Sequence, residues 1–497
     1  MSLEDAFAEI TKILDSQAEW LIIHASGKSF ALQKNEIEIA FEREKILLSF
    51  LDDKGFQTWR VDGYKVENAN LIFNVTRNFR RERDKIKLVP RIAARELSDA
   101  VELAKLEKAN RVAALIIAEN PESKLIRVAL NKENGRFAGI IFENPGKKQI
   151  AALADVSGVA APEFFLTTAI LWLVKMQNRR KNPVESIWIL AEGKLYKNLR
   201  NLHALLGANW KSKIQIKEIS RQGGEAQSER IISKRNLEIE DLWREKPLKI
   251  SAAEKFLLSE TAREITKLAP EKIDVLFTRH GETIRFFGLP FARVRKISGA
   301  EKSWFGIERE KRILNEATRE EFFNLLNELE IYRRFDSPNT RHDFFRLAPE
   351  AWLEAALRRN IKLLDGNLIL SPIYNQFRAG ADKIDLLALR RDGRLIVIEL
   401  KVAPDREMIF QAADYWRKIE LQRKSGNLRK AKIFGDLKIA DKPALVYLVA
   451  PTLSFHRDFN FLSKTVSPEI EIYKFALNEN WRENLKMMKV EQVRGEK

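Results

Sequence analysis

The chain has 497 residues, 45% of them hydrophobic and 32% charged, a composition that folds rather than stays disordered; the length suggests roughly three domains. Lysine and arginine total 87 against 70 aspartate and glutamate, and the net +17 favours polyanionic partners, since neutralising phosphates releases condensed counterions. The absence of cysteine excludes disulfides, zinc–thiolate centres and thiol nucleophiles, and the five histidines (His24, His203, His280, His342, His456) are too scattered for a local metal motif. Any metal is then left to carboxylates, which favours Mg2+ or Mn2+ over zinc.

The N-terminal MSLEDAFAEITKILD is acidic and amphipathic, unlike a secretion signal. Trp20 to Leu32 reads as strand, turn at Gly27 and strand. The basic run Arg77 to Arg95, with Arg80 and Arg81 at its centre, can track a phosphate backbone; the interleaved Glu82 and Asp84 fit a salt-bridged surface equally well. The most apolar run, Phe164 to Met176, is shorter than the ~20 residues of a membrane span and reads as a buried helix. A soluble cytoplasmic protein with no membrane partner is the expectation. Arg221 to Arg230 (RQGGEAQSER) reads as a linker between two parts of similar size.

Those two parts resemble each other. Ile273 to Phe287 is a strand, a turn at Gly281 and a strand, as around Gly27. FGIEREKRIL from Phe305 resembles IAFEREKILL from Ile39, and PALVYLVAP from Pro443 resembles PVESIWILAEG from Pro183, each followed by a histidine, His456 and His203. Ile384 to Leu400 lines up with Ile126 to Phe142. Four matches in the same order at nearly constant spacing point to a tandem duplication. In that alignment Arg127, Ile141 and Glu143 stand where the second copy has Asp385, Glu399 and Lys401.

Within the second β-rich stretch, Arg285, Arg293, Arg295 and Lys296 are candidates to line a nucleic-acid groove. Trp304 can stack on bases, whereas Trp352 and Trp416 lie on apolar helix faces and read as core. Thr278 to Thr283 (TRHGET) matches the opening signature of histidine phosphatases, which implies His280 as a phosphate acceptor. The first copy has ASG at that turn, so the competing reading is an ordinary hairpin.

The segment Pro349 to Trp416 carries the most chemistry. Helical spacing covers Trp352 to Leu364, strands are expected at Asn367–Ile373, Ile384–Leu389 and Leu395–Leu400, and Asp392-Gly393 makes a hairpin turn. A helix follows from Asp405 to Arg423, then a strand at Ala444–Ala450. Glu399 and Lys401 alternate onto one face, and the hairpin sets Asp385 beside them. Two carboxylates suit a hard divalent cation, which polarises a phosphoryl oxygen and acidifies a bound water. Lys401 would orient or deprotonate that water, or offset charge on the phosphorane.

These residues resemble the PD-(D/E)XK nucleases of the restriction-endonuclease-like fold, in particular the RecB and NucS/EndoMS-like branch. The resemblance covers roughly residues 345 to 475, and Lys383 departs from the glycine common before this strand in NucS-like proteins. It implies Asp385, Glu399 and Lys401 as the catalytic centre, with Gln411 and Tyr415 on the following helix and Glu354 as a further metal-site residue on the first. It also implies Mg2+- or Mn2+-dependent hydrolysis of DNA. The alternative is a nucleic-acid-binding platform whose nuclease fold no longer cuts. RNA stays open as a partner, because nothing here reads a 2′-hydroxyl, as does a homodimer that cuts both strands. The expected fold is α/β, in four parts: a β-rich module (1–90), a degenerate nuclease-like domain (91–220), a helical linker with a second β-rich module (221–345), and the nuclease domain (346–497).

Overall fold

A computed structural model describes residues 2–24, 29–52, 55–67, 70–77, 82–91, 94–129, 137–157, 160–179, 182–221, 229–247, 258–278, 281–297, 300–307, 311–370, 378–379, 382–383 and 385–495. It is a mixed α/β structure with several sheets flanked by helices. Gly27, Arg80, Arg81, His280, Gly380 and most of the 221–230 linker lie outside the described residues.

The chain opens with α1 (Leu3–Asp15), whose first turn is closed by reciprocal hydrogen bonds between Ser2 and Asp5. Its buried stripe of Ala6, Ile10 and Leu14 joins the core of a seven-stranded antiparallel sheet. The strands are β1 (Glu19–His24), β2 (Ser29–Gln33), β3 (Ile37–Glu42), β4 (Lys45–Asp52), β5 (Gly55–Glu67), β6 (Asn70–Arg77) and β7 (Glu82–Pro90), in the order β2-β1-β7-β6-β5-β4-β3.

A six-stranded mixed sheet follows, the first lobe. Its elements in chain order are α2 (Ala94–Glu119), β8 (Lys124–Ala129), β9 (Phe137–Glu143), β10 (Gln149–Asp155), α3 (Pro162–Gln177), β11 (Val184–Ala191), α4 (Gly193–Ala204), α5 (Ala208–Lys213), β12 (Ile214–Arg221) and β13 (Glu229–Ser233). From β8 to β13 the neighbours pair antiparallel, antiparallel, parallel, parallel and antiparallel. The apolar run of residues 164–176 is α3, with Phe165, Leu166, Ala169, Ile170, Leu173 and Met176 buried. No described helix is long and apolar enough to cross a membrane.

Next come α6 (Glu260–Leu268) and a five-stranded antiparallel meander of β14 (Ile273–Thr278), β15 (Gly281–Phe286), β16 (Leu289–Ile297), β17 (Ala300–Phe305) and β18 (Arg312–Ile313). The likeness between the two β-rich stretches ends at the first hairpin. β15 pairs with β16, whereas β2 and β3 lie at opposite edges of their sheet. Strands β14 and β15 pair right up to Thr278 and Gly281. Thr278 and Gly281 of the TRHGET segment are therefore paired ends of two antiparallel strands in the middle of the chain.

The helices α7 (Arg319–Tyr332), α8 (Asp343–Arg346) and α9 (Pro349–Arg359) lead into the second lobe. It comprises β19 (Leu368–Leu370), β20 (Arg378–Ala379), β21 (Asp382–Lys383), β22 (Leu386–Arg390), β23 (Leu395–Leu400), α10 (Met408–Lys424), α11 (Asn427–Lys430), β24 (Leu445–Pro451), α12 (Phe459–Ser463), β25 (Ile472–Leu477) and β26 (Met487–Arg494). Its main sheet runs β19-β22-β23-β24-β25-β26 with the same succession of pairings as the first lobe.

This correspondence corrects the sequence alignment by one strand. The hairpin β22–β23 matches β9–β10, not β8–β9. Residues 425–444, which include α11, join α10 to β24, whereas only 178–183 join α3 to β11. That insertion carries any constant offset past the equivalent strand.

The meander is locked onto α9 by a close backbone approach. Gly288, at φ +77°, leaves no room for a Cβ, which would lie 1.9 Å from the Ala351 carbonyl oxygen. Phe287 stacks on Trp352 beside it. Arg333, fully buried, donates to the carbonyls of Phe286, Phe287, Phe344 and Leu347 and lies 4.7 Å over the Trp352 ring.

Candidate active site at the end of the second sheet

Strand β23 is buried along its whole length, as its unbroken apolar run requires of a strand covered on both faces. The carboxylate near its end, Glu399, is only 2% exposed. The register that pairs Leu386 with Ile398 leaves Asp385 opposite Glu399, just before β22. One Asp385 oxygen accepts from the Leu400 amide at 2.9 Å, which fixes it at this position.

Lys401 reaches Glu399 Oε1 at 3.0 Å and Asp405 Oδ2 at 3.5 Å. The other Glu399 oxygen, Oε2, is buried with no hydrogen-bond partner. Burial first, and then the neighbouring Asp385 carboxylate, push Glu399 well above the ordinary glutamate range, against the pull of Lys401. Burial pulls Lys401 down, but Glu399, Glu350 and Asp405 more than offset it, so its ammonium is held above the ordinary lysine value.

The sequence reading placed Glu354 at the site. The structure turns that residue elsewhere: Glu354, 1% exposed, lies 3.3 Å from the guanidinium of Arg285. Glu350, one turn earlier on α9, is the helical acid whose charge bears on both Glu399 and Lys401. A four-residue step on a helix returns to the same face, so sequence spacing alone does not separate the two.

On α10, Gln411 and Tyr415 are half-buried, and Gln411 Oε1 is another buried acceptor with no hydrogen-bond partner. Asp405 accepts from the Glu407 and Met408 amides at 2.6 and 3.1 Å, holding the start of α10 beside Lys401. Trp352 and Trp416 are core residues, each 2% exposed.

Of the four basic residues on the meander, Arg285 is not a groove residue. It is 2% exposed and ion-paired with Asp274 and Glu354, because α9 covers that end of the sheet. Arg293 and Arg295 share the face not taken by the Phe286, Phe291, Val294 and Phe305 core, and Lys296 alternates to the other side. Cross-strand pairing sets Trp304, the stacking candidate, opposite Arg293 and adds one residue the sequence did not single out, Lys302 opposite Arg295. Only the register could have found Lys302.

Among the described residues no group of three or more histidine, cysteine, aspartate or glutamate side chains forms a ready ligand set. The donors on hand are Asp385 and Glu399, with Glu350 near. A divalent cation fits them on one observation: the buried Glu399 Oε2, beside a second carboxylate, has no hydrogen-bond partner and is open to a ligand.

No family model matches the chain, and no curated protein matches it. Among solved structures, the apo form of EndoMS is similar over 38% of this chain and 84% of that chain, with 10% identity and a TM-score of 0.13. A superposition that poor carries no argument about this chain.

Proposed function

We propose that the chain is a metal-dependent nuclease that hydrolyses DNA phosphodiester bonds at Asp385, Glu399 and Lys401. The observation that carries this reading is the buried, unpartnered Glu399 Oε2 beside Asp385, with the Lys401 ammonium 3.0 Å from Oε1. A carboxylate buried beside a second one costs the fold stability, and a hard cation is the ligand that would offset that cost.

Asp385 and Glu399 would hold Mg2+ or Mn2+, with Glu350 nearby. The cation supplies Lewis acidity toward a phosphoryl oxygen and lowers the pKa of water. Lys401 would orient the attacking water or stabilise negative charge on the phosphate. Asp405 keeps the lysine in place from the start of α10. Gln411 offers a side-chain amide near the same strand end.

The nucleic acid would reach this centre along the open face of the meander. Arg293, Arg295 and Lys302 form no ion pair among the described residues, and the Arg295 Nε is buried without a partner. Burial and the neighbouring Arg295 depress the Arg293 guanidinium, a repulsion that a phosphate would relieve. Trp304 beside them offers a ring for stacking.

The absence of a three-carboxylate set among the described residues favours a second reading, an inactive nucleic-acid-binding platform. One experiment separates them. Purified chain is incubated with single- and double-stranded DNA in Mn2+, beside Asp385→Ala. Cleavage lost in the variant supports the site; cleavage unchanged in it removes the assignment; no cleavage by either favours the platform.

A further inference from the structure

The two lobes meet through the same segment of each. In the first lobe, residues 205–207 follow α4 and precede β12; in the second, residues 465–467 follow α12 and precede β25. Leu206 and Val466 form an antiparallel bridge. The Gly207 amide donates to the Thr465 carbonyl at 2.9 Å, and the Ser467 amide donates to the Leu205 carbonyl at 2.7 Å. Exchanging the lobes turns each of these bonds into the other, as in any hydrogen-bonded antiparallel pair, and here the two segments also hold equivalent places in their lobes, as an isologous two-fold contact requires. Leu205, Leu206, Thr465 and Val466 are all at most 1% exposed. One continuous apolar core then runs through both lobes, from Phe165, Leu173 and Leu202 to Ile396, Ile419 and Leu462.

The two halves of this internal dimer differ where cutting would occur. Asp385 and Glu399 stand opposite each other on the hairpin β22–β23. On the matching hairpin β9–β10, the opposed pairs facing α2 are Ala138 with Ala154 and Ile140 with Ala152, all buried. These side chains offer no metal donor.

The geometry points to a nicking enzyme: one chain carries both lobes of a two-fold nuclease frame but a single cutting centre, so each engagement breaks one strand of a duplex. The inference rests on the nuclease reading of Asp385, Glu399 and Lys401 and adds the product of that site. The first lobe takes the place of a second subunit: the carboxylate that ends its β10, Asp155, stands opposite Phe137 rather than a second acid and is taken up by hydrogen bonds from Ser157 and the Ala160 amide, so this lobe contacts the duplex without hydrolysing it. Hydrolysis at the second lobe adds water across one P–O bond, leaving a phosphate monoester and a hydroxyl on one strand and the other strand intact.

Supercoiled plasmid is the probe. Full-length chain in Mn2+ is sampled over time on agarose gels, with Asp385→Ala alongside and sedimentation measured in the same buffer. The expected result is nearly complete conversion to open circle before linear DNA appears, a rate first order in protein, and sedimentation as one 57.6 kDa chain. Linear DNA formed directly from supercoil, or a rate that rises steeply with protein concentration because two chains must pair, overturns the inference and leaves the nuclease reading standing. Unaltered plasmid with wild-type chain overturns both.

Discussion

The first and second lobes have the same order of strands and the same succession of pairings, yet they put opposite chemistry at equivalent places. In the second lobe a strand end buries the Glu399 carboxylate beside the half-buried Asp385 and Lys401; in the first, the matching face of β10 buries Ile150, Ala152 and Ala154 against α2. The first lobe buries cations instead. Lys105 on α2 is 3% exposed, and Lys217 on β12 lies 3.2 Å over the Trp188 ring. One fold thus supports an acidic pocket in one copy and an apolar one in the other. The frame is set by apolar strand cores, which leave the few polar positions at strand ends free to diverge.

The comparison can be broken most decisively at the acid pair. Asp385→Ala should lower DNA cleavage by about a thousandfold, on the scale of losing a transition-state electrostatic partner, whereas Ala154→Ser in the first lobe should leave the rate unchanged. Quantitative gel assays in Mn2+ check both. A cleaving Asp385→Ala variant would show that the lobes do not differ as proposed.

The join between meander and second lobe should be nearly as sensitive. Gly288→Ala places a methyl against the Ala351 carbonyl at a positive φ, and roughly 3 kcal/mol of stability should be lost. Urea denaturation gives the value, and an unchanged midpoint would mean that α9 is not fixed by this turn.

Glu399 makes the difference pH-dependent. Its folded pKa lies above the unfolded one, so its contribution favours the fold at low pH and is lost as pH rises through the ordinary glutamate range toward the folded value. Without metal, Glu399→Gln should therefore melt several degrees above wild type at pH 8, with the gap closing toward pH 4. Adding Mn2+ should raise the melting temperature of wild type and not of the variant. Scanning calorimetry with chelator and with Mn2+ reads both effects.

His203 and Lys217 sharpen the comparison from the first lobe. Burial depresses His203 to about 4, so the fold loses stability as pH falls from the ordinary histidine value toward about 4. His203→Asn should flatten that acid limb in a melting-temperature profile. The smallest effect is expected at Lys217, which burial lowers to about 8: wild type should gain stability as pH rises above about 8 toward the ordinary lysine value, and Lys217→Met should remove that gain.

Much of the second lobe was legible in the sequence. Leu395 to Leu400 is the strand expected, because an unbroken apolar run bounded by an Asp-Gly turn has few other uses. The helix after it starts at Met408 rather than Asp405, with the Asp405 carboxylate bonded to the first amides. Glu350 was missed because helical periodicity names a face and not the turn that lies over the strand end. Arg285 was misassigned because its charge suggests solvent, while α9 buries it against Glu354.

The sequence by itself determined the local elements and the acid–lysine pattern, since strand alternation, turn chemistry and apolar runs are encoded within a few neighbouring residues. It also pointed to a repeat, which the sheet topology bears out for the two lobes and not for the β-rich stretches before them. Only the tertiary structure decided which strands correspond, because the insertion between α10 and β24 shifts the register without altering any local pattern. Only it decided that Leu206 meets Val466 across an internal two-fold. That contact is made by main-chain groups, and main-chain hydrogen bonding leaves little trace in side-chain identity.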